Sequence, residues 1–318
     1  MKLAVLGMAC LGSFGFGVDA LRERLASPLK PAFDDGRALC ADTSGLKDIF
    51  SAKSLRHLDH FTCMALYAAV KALEDSGYRV NHDSDDCFEH AALVLATGYG
   101  PATPTFDFLN SIIANGDCLS SPLSFSRSVQ NIPAASLAIR LGLTGSCATI
   151  CQLDCPVAAA FHVAWIWLTE KRVNRVLLGA VDEHTPLLAS TGKRVALGRS
   201  SKTGRRASLP LSEGAVFFCL ERTSERTARR GCLEILPPGE TSQPAVKLQG
   251  THRVFCSGNI PRWAAALPHA ALAEKAYGNL PVAQAFDIVL ALDASTQPSL
   301  CVNFGEQGTI AAVRANSV

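Results

Sequence analysis

Short, wholly apolar runs alternate with longer amphipathic segments along most of this chain, and that alternation is what most limits the folds open to it. Apolar runs bounded by glycine or turn residues form buried strands, and segments with apolar residues at helical spacing form helices packed on them, so the chain is of the α/β class. The pattern predicts strands over 3–8, 91–96, 175–181, 215–220 and 231–236, and a last strand pair flanking the loop 304–308. It predicts helices over 61–76, closed by Gly77 as a C-cap, and over 105–115, 132–141 and 268–277. The run AFDIVLALDA, 285–294, is too short and too uniformly apolar for periodicity to assign a type. A Pro/Gly-rich connector, 237–244, interrupts the second half.

The 318 residues are 48% hydrophobic and 18% charged, which suits a compact protein of one large domain or two fused halves. A net charge of +2 with scattered Lys and Arg gives no nucleic-acid surface, and no apolar run is long enough for a membrane span. The start, MKLAVLGMACLGSFGFG, has the basic residue, apolar run and Cys of a short secretion or lipoprotein signal. The run before Cys10 is at the low edge for a signal core, and the segment is read as a first strand and a glycine-rich loop. Twelve cysteines include Cys219 within the apolar run VFFCL, the setting of a reduced, buried thiol. A chain this long needs no disulfide staples, so a reducing, cytoplasmic location is expected.

Chemistry concentrates at CQLDCPV, 151–157, where a strand-like run, LTGSCATI, turns into a helix-like run, AAAFHVAWIWL. A strand-to-helix turn exposes a side chain while helix N–H groups point towards it, the usual setting of a nucleophile. Cys147, Cys151 and Cys155 are spaced C-x3-C-x3-C, which lacks the paired cysteines of structural zinc sites, and no metal is expected. Gly98-x-Gly100 lacks the third glycine of a dinucleotide fingerprint. Asp83, Asp85 and Asp86 read as a solvated loop, and His162, on an apolar helix, as a satisfied core residue. A cysteine nucleophile needs a base or cation beside it, and none is evident in the sequence near Cys151 or Cys155.

Several segments in order carry a family resemblance: KLAVLGMACLGSFGFGVDAL, SLRHLDHFTCMALYAAVKALEDSGY, SPLSFSRSVQNIPAASLAIRLGLTGSCATICQLDC, RVLLGAVDE, LSEGAVFFCLE and VNFGEQGT. The chain resembles the β-ketoacyl synthase family over most of its length. The resemblance implies a thiolase-like α/β fold of two related halves in αβαβα layers. The N-terminal half would span 1–214 and a shortened C-terminal half 215–318. The family's spacing from the Asn of its S-x-x-N segment to its nucleophile, counted from Asn131, lands on Asp154. Counting back from the strand start at Asn174 gives the same residue, with Cys155 one position late and Cys151 three early. One residue along a helix turns a side chain by about 100°, so Cys155 is not expected to replace the family cysteine.

The other family positions are also altered. The H-G-T-G-T motif aligns with 257–261, putting Ser257 in place of its histidine, and the segment bearing the second histidine is missing after 281–284. The gate-loop phenylalanine becomes Glu306. An ionised Asp is a weak nucleophile towards a thioester, so no catalytic residue is assigned. The F-S-x-S-V-x-N wording of 125–131 resembles the aryl-polyene subgroup, whose chain length factors pair with an active ketosynthase and shape its acyl tunnel. The resemblance places Phe106, Phe108, Leu109, Ile112 and Ile113 nearest that tunnel, with Ile132 and Pro133 beside them. It implies an active β-ketoacyl synthase subunit as partner, acyl carrier protein met through the complex, and no cofactor. The competing expectations are an acyl-thioester hydrolase or acyltransferase using Cys155, Cys151 or Asp154, and a homodimeric scaffold.

Overall fold

The structure is a computed structural model that describes residues 2–27, 40–78, 90–188, 190–191, 211–223, 228–236, 253–261, 264, 270–294, 298–305 and 309–317. The strand β1 (Lys2–Gly12), longer than its apolar run, is followed by the two-residue β2 (Gly15–Phe16) and α1 (Gly17–Ala26). A short α2 (Ala52–Leu55) precedes α3 (His60–Ser76), whose start Asp59 caps by accepting from Thr62 N at 2.7 Å and whose end is Gly77 at φ 85°. Then come β3 (Ala92–Thr97), α4 (Ala102–Asn115), α5 (Pro122–Ser128), α6 (Ile132–Leu141), β4 (Cys147–Cys151), α7 (Pro156–Thr169) and β5 (Arg175–Asp182). The remainder is β6 (Gly214–Arg222), β7 (Gly231–Ile235), β8 (Arg253–Gly258), β9 (Ala270–Ala271), α8 (Glu274–Tyr277), α9 (Ala283–Ala294), β10 (Ser299–Phe304) and β11 (Ile310–Asn316).

The strands lie in the order β4-β3-β5-β6-β1-β7-β11-β10-β8-β9, with β2 paired to β1. The order reads as two sets of five placed back to back at the β1–β7 seam. In the first set β3 runs parallel to β4 and β5, while β6 is antiparallel to β5 and β1. In the second, β8 runs parallel to β9 and β10, while β11 is antiparallel to β10 and β7. Each set is the same unit, which makes this the expected thiolase-like fold of two related halves.

The layers follow from which face of each strand is apolar. One core takes α7 and α9 with Val94, Leu178 and Phe218 of the first set and Phe255, Cys301 and Val313 of the second. A second core packs α3 and α6 on the opposite face of the first set, through Leu93, Leu177 and Phe217. A smaller third core lies on the opposite face of the second set, around Val254, Val302 and Phe304. Gly7 is required where α3 crosses β1, since a Cβ there would stand 2.7 Å from Ser76 Cα.

One open assignment is settled and two expectations change. The segment 285–294 is helical: α9 is buried on every side between the two sets of strands, which is why it shows no polar face. The helix expected over 268–277 is confined to Glu274–Tyr277, because Ala270–Ala271 pair with β8. His162 is exposed on α7 beside Trp165, with ring centroids 5.9 Å apart, and is not a core residue. Its helix is apolar nearly all round, so periodicity gives no indication of which positions face outward. The connector 237–244, the aspartates 83, 85 and 86, and Glu306 lie outside the described residues.

Candidate functional site

The turn between β4 and α7 sets Asp154 and Cys155 at the helix start, with Pro156 in the first helical position. Cys155 is left-handed, φ 53° and ψ 43°, a conformation that costs a non-glycine residue on the order of 1 kcal/mol or more. Its side chain is turned inward and only 4% exposed, with Sγ 3.7 Å from the Asn303 carbonyl. Burial, reinforced by the charge of Asp154, pushes the thiol up to about 11, although Gly305 and Ala311 backbone groups act against this. A thiol in that state carries little of the thiolate that attacks substrates and binds metals.

Asp154, half-buried, faces the C-terminal loop. A Cβ on Gly305 would stand 2.7 Å from Asp154 Cγ, so any side chain there would force Asp154 to shift. Gln152 Nε2 donates to the Asp154 carbonyl at 2.7 Å. Cys151 ends β4 opposite Thr97, with Sγ 3.8 Å from the Gly98 carbonyl, and burial raises its pKa as well.

Ser257 is buried near the end of β8, paired with Asn303 of β10, whose Nδ2 donates to its hydroxyl at 3.1 Å. Thr97 and Asp182 make the matching contact in the first set, Oγ1 to Oδ1 at 2.8 Å. Around Ser257, Tyr277 donates to Asp287 at 2.8 Å and the Gly258 N–H to Glu274 at 2.8 Å. Burial pushes the Asp287 carboxyl well above its ordinary range and that of Glu274 up to about 7. The hydroxyl of Ser257 is thus engaged within a packed polar cluster.

The tunnel candidates gather on α4 and the start of α6. Phe106, Phe108 and Ile112 are half-buried, and Phe108 packs on Phe125 of α5 with centroids 5.3 Å apart. Leu109 is 47% exposed and Ile113 82%. Ile132 is half-buried, and Pro133 is buried. Sequence reasoning did not single out the neighbours that extend this surface: Leu123 and Phe125 on α5, Val129 after it, Ile139 on α6 at 78% exposure, and Leu153 in the turn. Among the described residues, only Phe16 and Leu187 are large exposed apolar side chains elsewhere. This surface adjoins β4, an edge strand with both ends exposed.

Four ionisable groups behind the site were also missed. Asp182 accepts from Thr97 Oγ1, from Gly98 N at 3.0 Å and from Tyr99 N at 3.0 Å, and burial lifts it to about 6. Glu183 accepts from Thr103 N at 2.7 Å and Thr103 Oγ1 at 3.1 Å, and burial lifts it to about 7. Glu213 accepts from Ala41 N at 2.6 Å and His184 N at 3.1 Å, and lies 2.7 Å from His60 Nε2, a bond that raises the His60 pKa. The signal available was Asp-Glu directly after an apolar strand, where two charges end a buried run.

A layered sheet of two equivalent halves, with a strand-to-helix turn at one sheet edge, defines a thiolase-like protein. The model of the β-ketoacyl synthase N-terminal domain matches residues 4–225, and the chain belongs to the β-ketoacyl synthase family. It is 28% identical over 177 residues to the chloroplastic 3-oxoacyl-[acyl-carrier-protein] synthase I of Arabidopsis thaliana. That match takes in 51% of this chain and 37% of the relative. Among solved structures, the ishigamide ketosynthase/chain length factor superposes with a TM-score of 0.76 at 16% identity, covering 100% of both chains. A ketosynthase in complex with its chain length factor from Xenorhabdus doucetiae gives 0.59 at 13% identity, covering 99% of this chain and 100% of that one. Among the described residues, no helix is long and apolar enough to cross a membrane.

Proposed function

We propose that the chain is a catalytically inactive, ketosynthase-like subunit that pairs with an active β-ketoacyl synthase and shapes its acyl tunnel, in the manner of a chain length factor. The observation that carries the reading is the occupant of the turn. Asp154, a carboxylate, faces the C-terminal loop, while the adjacent Cys155 is buried and held as a thiol. A carboxylate attacking a thioester gives an anhydride that water soon destroys. Ser257 offers a hydroxyl already engaged by Asn303 where the family supplies an imidazole.

Two further features support pairing. Among the described residues β4 is paired on one side only, and α6 beside it, with α5 and α4 packed on in turn, forms a surface exposing Leu109, Ile113, Leu123, Phe125 and Ile139. Obligate interfaces are large and apolar, and an exposed edge is a template for another chain. The factor-bearing complexes among the similar structures agree with this occupant. The same reading gives a cytoplasmic subunit of type II polyketide or aryl-polyene-type synthesis that meets acyl carrier protein through the complex and needs no cofactor. The N-terminal half is taken as 1–214 and the shortened C-terminal half as 215–318, although β6 (Gly214–Arg222), of which all but Gly214 lies past that boundary, belongs to the first set of strands.

Co-expression tests the reading. The chain alone should self-associate or precipitate, and the cognate ketosynthase, recovered by co-purification from the native host, should bring it into solution as a heterodimer. A stable monomer that ignores the ketosynthase sinks it. One observation favours the enzyme instead: Cys155 holds a strained, left-handed backbone at a helix start. An acyl adduct on Cys155, seen by intact-protein mass spectrometry with an acyl-carrier thioester and tracking turnover, would establish that alternative.

A further inference from the structure

Helix α4 starts without a cap of its own. Its N-cap residue is Pro101, which has no side-chain acceptor, and Pro104, in the first turn, has no N–H to bond. Thr105 N reaches the Pro101 carbonyl at 3.2 Å, which leaves the Thr103 N–H as a donor needing a partner from outside the helix. That partner comes from a distant part of the chain. The two carboxylate oxygens of Glu183, just past the end of β5, take the Thr103 N–H at 2.7 Å and its hydroxyl at 3.1 Å. The preceding residue, Asp182, holds Thr97, Gly98 and Tyr99 at the other end of the same connection. Two consecutive acids at the end of an inner strand therefore fix both ends of the β3–α4 loop, and one of them places its charge at the positive end of the α4 dipole.

We propose that Glu183 is the positioning residue for α4, capping the helix from across the fold and so setting how Phe106, Phe108 and Leu109 meet the acyl chain, an inference that rests on the tunnel role given to α4 above. Among the described residues, the charged groups facing Glu183 are Asp59 and His60 at the start of α3. His60 is itself bonded to Glu213, α4 brings no acid or base in its first turn, and Asp182 is turned into the loop. Against this background the ionised form of Glu183 offers two acceptors to Thr103, and protonation withdraws one.

The test is amide hydrogen exchange on the chain, wild type and Glu183→Gln, between about pH 6 and pH 8 with intrinsic rates divided out, alongside product analysis with the partner ketosynthase. Losing a charge-assisted bond should speed exchange at Thr103 and Thr105 about tenfold at the upper pH. It should also broaden the products towards longer chains. Thr103→Ala keeps the backbone donor, should speed exchange less, and serves if the glutamine variant does not fold. Unchanged exchange at Thr103 overturns the proposal. Faster exchange with an unchanged product spectrum overturns the link from cap to chain length, and places the failure in the tunnel role of α4 and not in the cap.

Discussion

At the scale of single residues, the turn is governed by burial more than by charge. Burial is the larger cause of the high Cys155 pKa and Asp154 the second. A shift from 9.0 to about 11 leaves about a hundredfold less thiolate than an ordinary thiol. Iodoacetamide at neutral pH should therefore label exposed Cys118 well before Cys155, as peptide mapping would show. Asp154→Asn should speed Cys155 labelling by less than about tenfold, since the desolvation remains. A larger gain would mean that the charge dominates. Gly305→Ala forces a methyl against Asp154 and should destabilise by about 1–3 kcal/mol in a denaturant titration.

At the scale of elements, α4 and α6 each combine a packed face with an apolar exposed one. Ile113 and Ile139 make few contacts within the chain, so Ile113→Lys and Ile139→Glu should shift its stability by no more than about 0.5 kcal/mol. In the heterodimer the same changes bury a charge, and co-purification with the ketosynthase should fail. Phe108→Ala removes a ring packed on Phe125 and should lengthen products. An unchanged product spectrum would take Phe108 out of the tunnel wall. These elements also show where sequence reading reaches its limit. Helix α3 was legible because apolar residues at helical spacing run up to the Gly77 cap. The short strand β9 was not, since two alanines carry no periodicity and become a strand only by pairing with β8.

At the scale of the whole molecule, the interior holds carboxyl groups at unusual pKa values. Asp182, Glu183 and Glu274 titrate higher in the fold than unfolded, at about 6, 7 and 7, because burial penalises their charge. Their stabilising contribution is complete below the unfolded carboxylate range near pH 4 and is lost as pH rises towards 7. For Asp182 the shift corresponds to on the order of 3 kcal/mol. His60, raised by its bond to Glu213, acts in the same direction, stabilising below its ordinary range and less as pH rises through its folded value. Thermal unfolding midpoints should fall between about pH 5 and pH 8. A midpoint that rises across that interval would contradict the assignment.

The amino-acid sequence by itself determined the class of the fold, most strand and helix positions, the turn at Asp154 and the family resemblance. Each is written in local periodicity, in caps, or in motifs a few residues long. The tertiary structure decided what those elements do to one another. Leu3 meets Arg222 across β1 and β6, and Thr103 meets Glu183 across eighty positions. Only such long-range pairing fixes which apolar side chains remain outside, as Ile113 and Ile139 do. It also fixes which acids lie inside, as Asp182 and Glu183 do. Burial is a property of the assembled neighbours and not of the residue, so the exposed surface beside β4 and the acids behind α4 became visible only once the strands were in place.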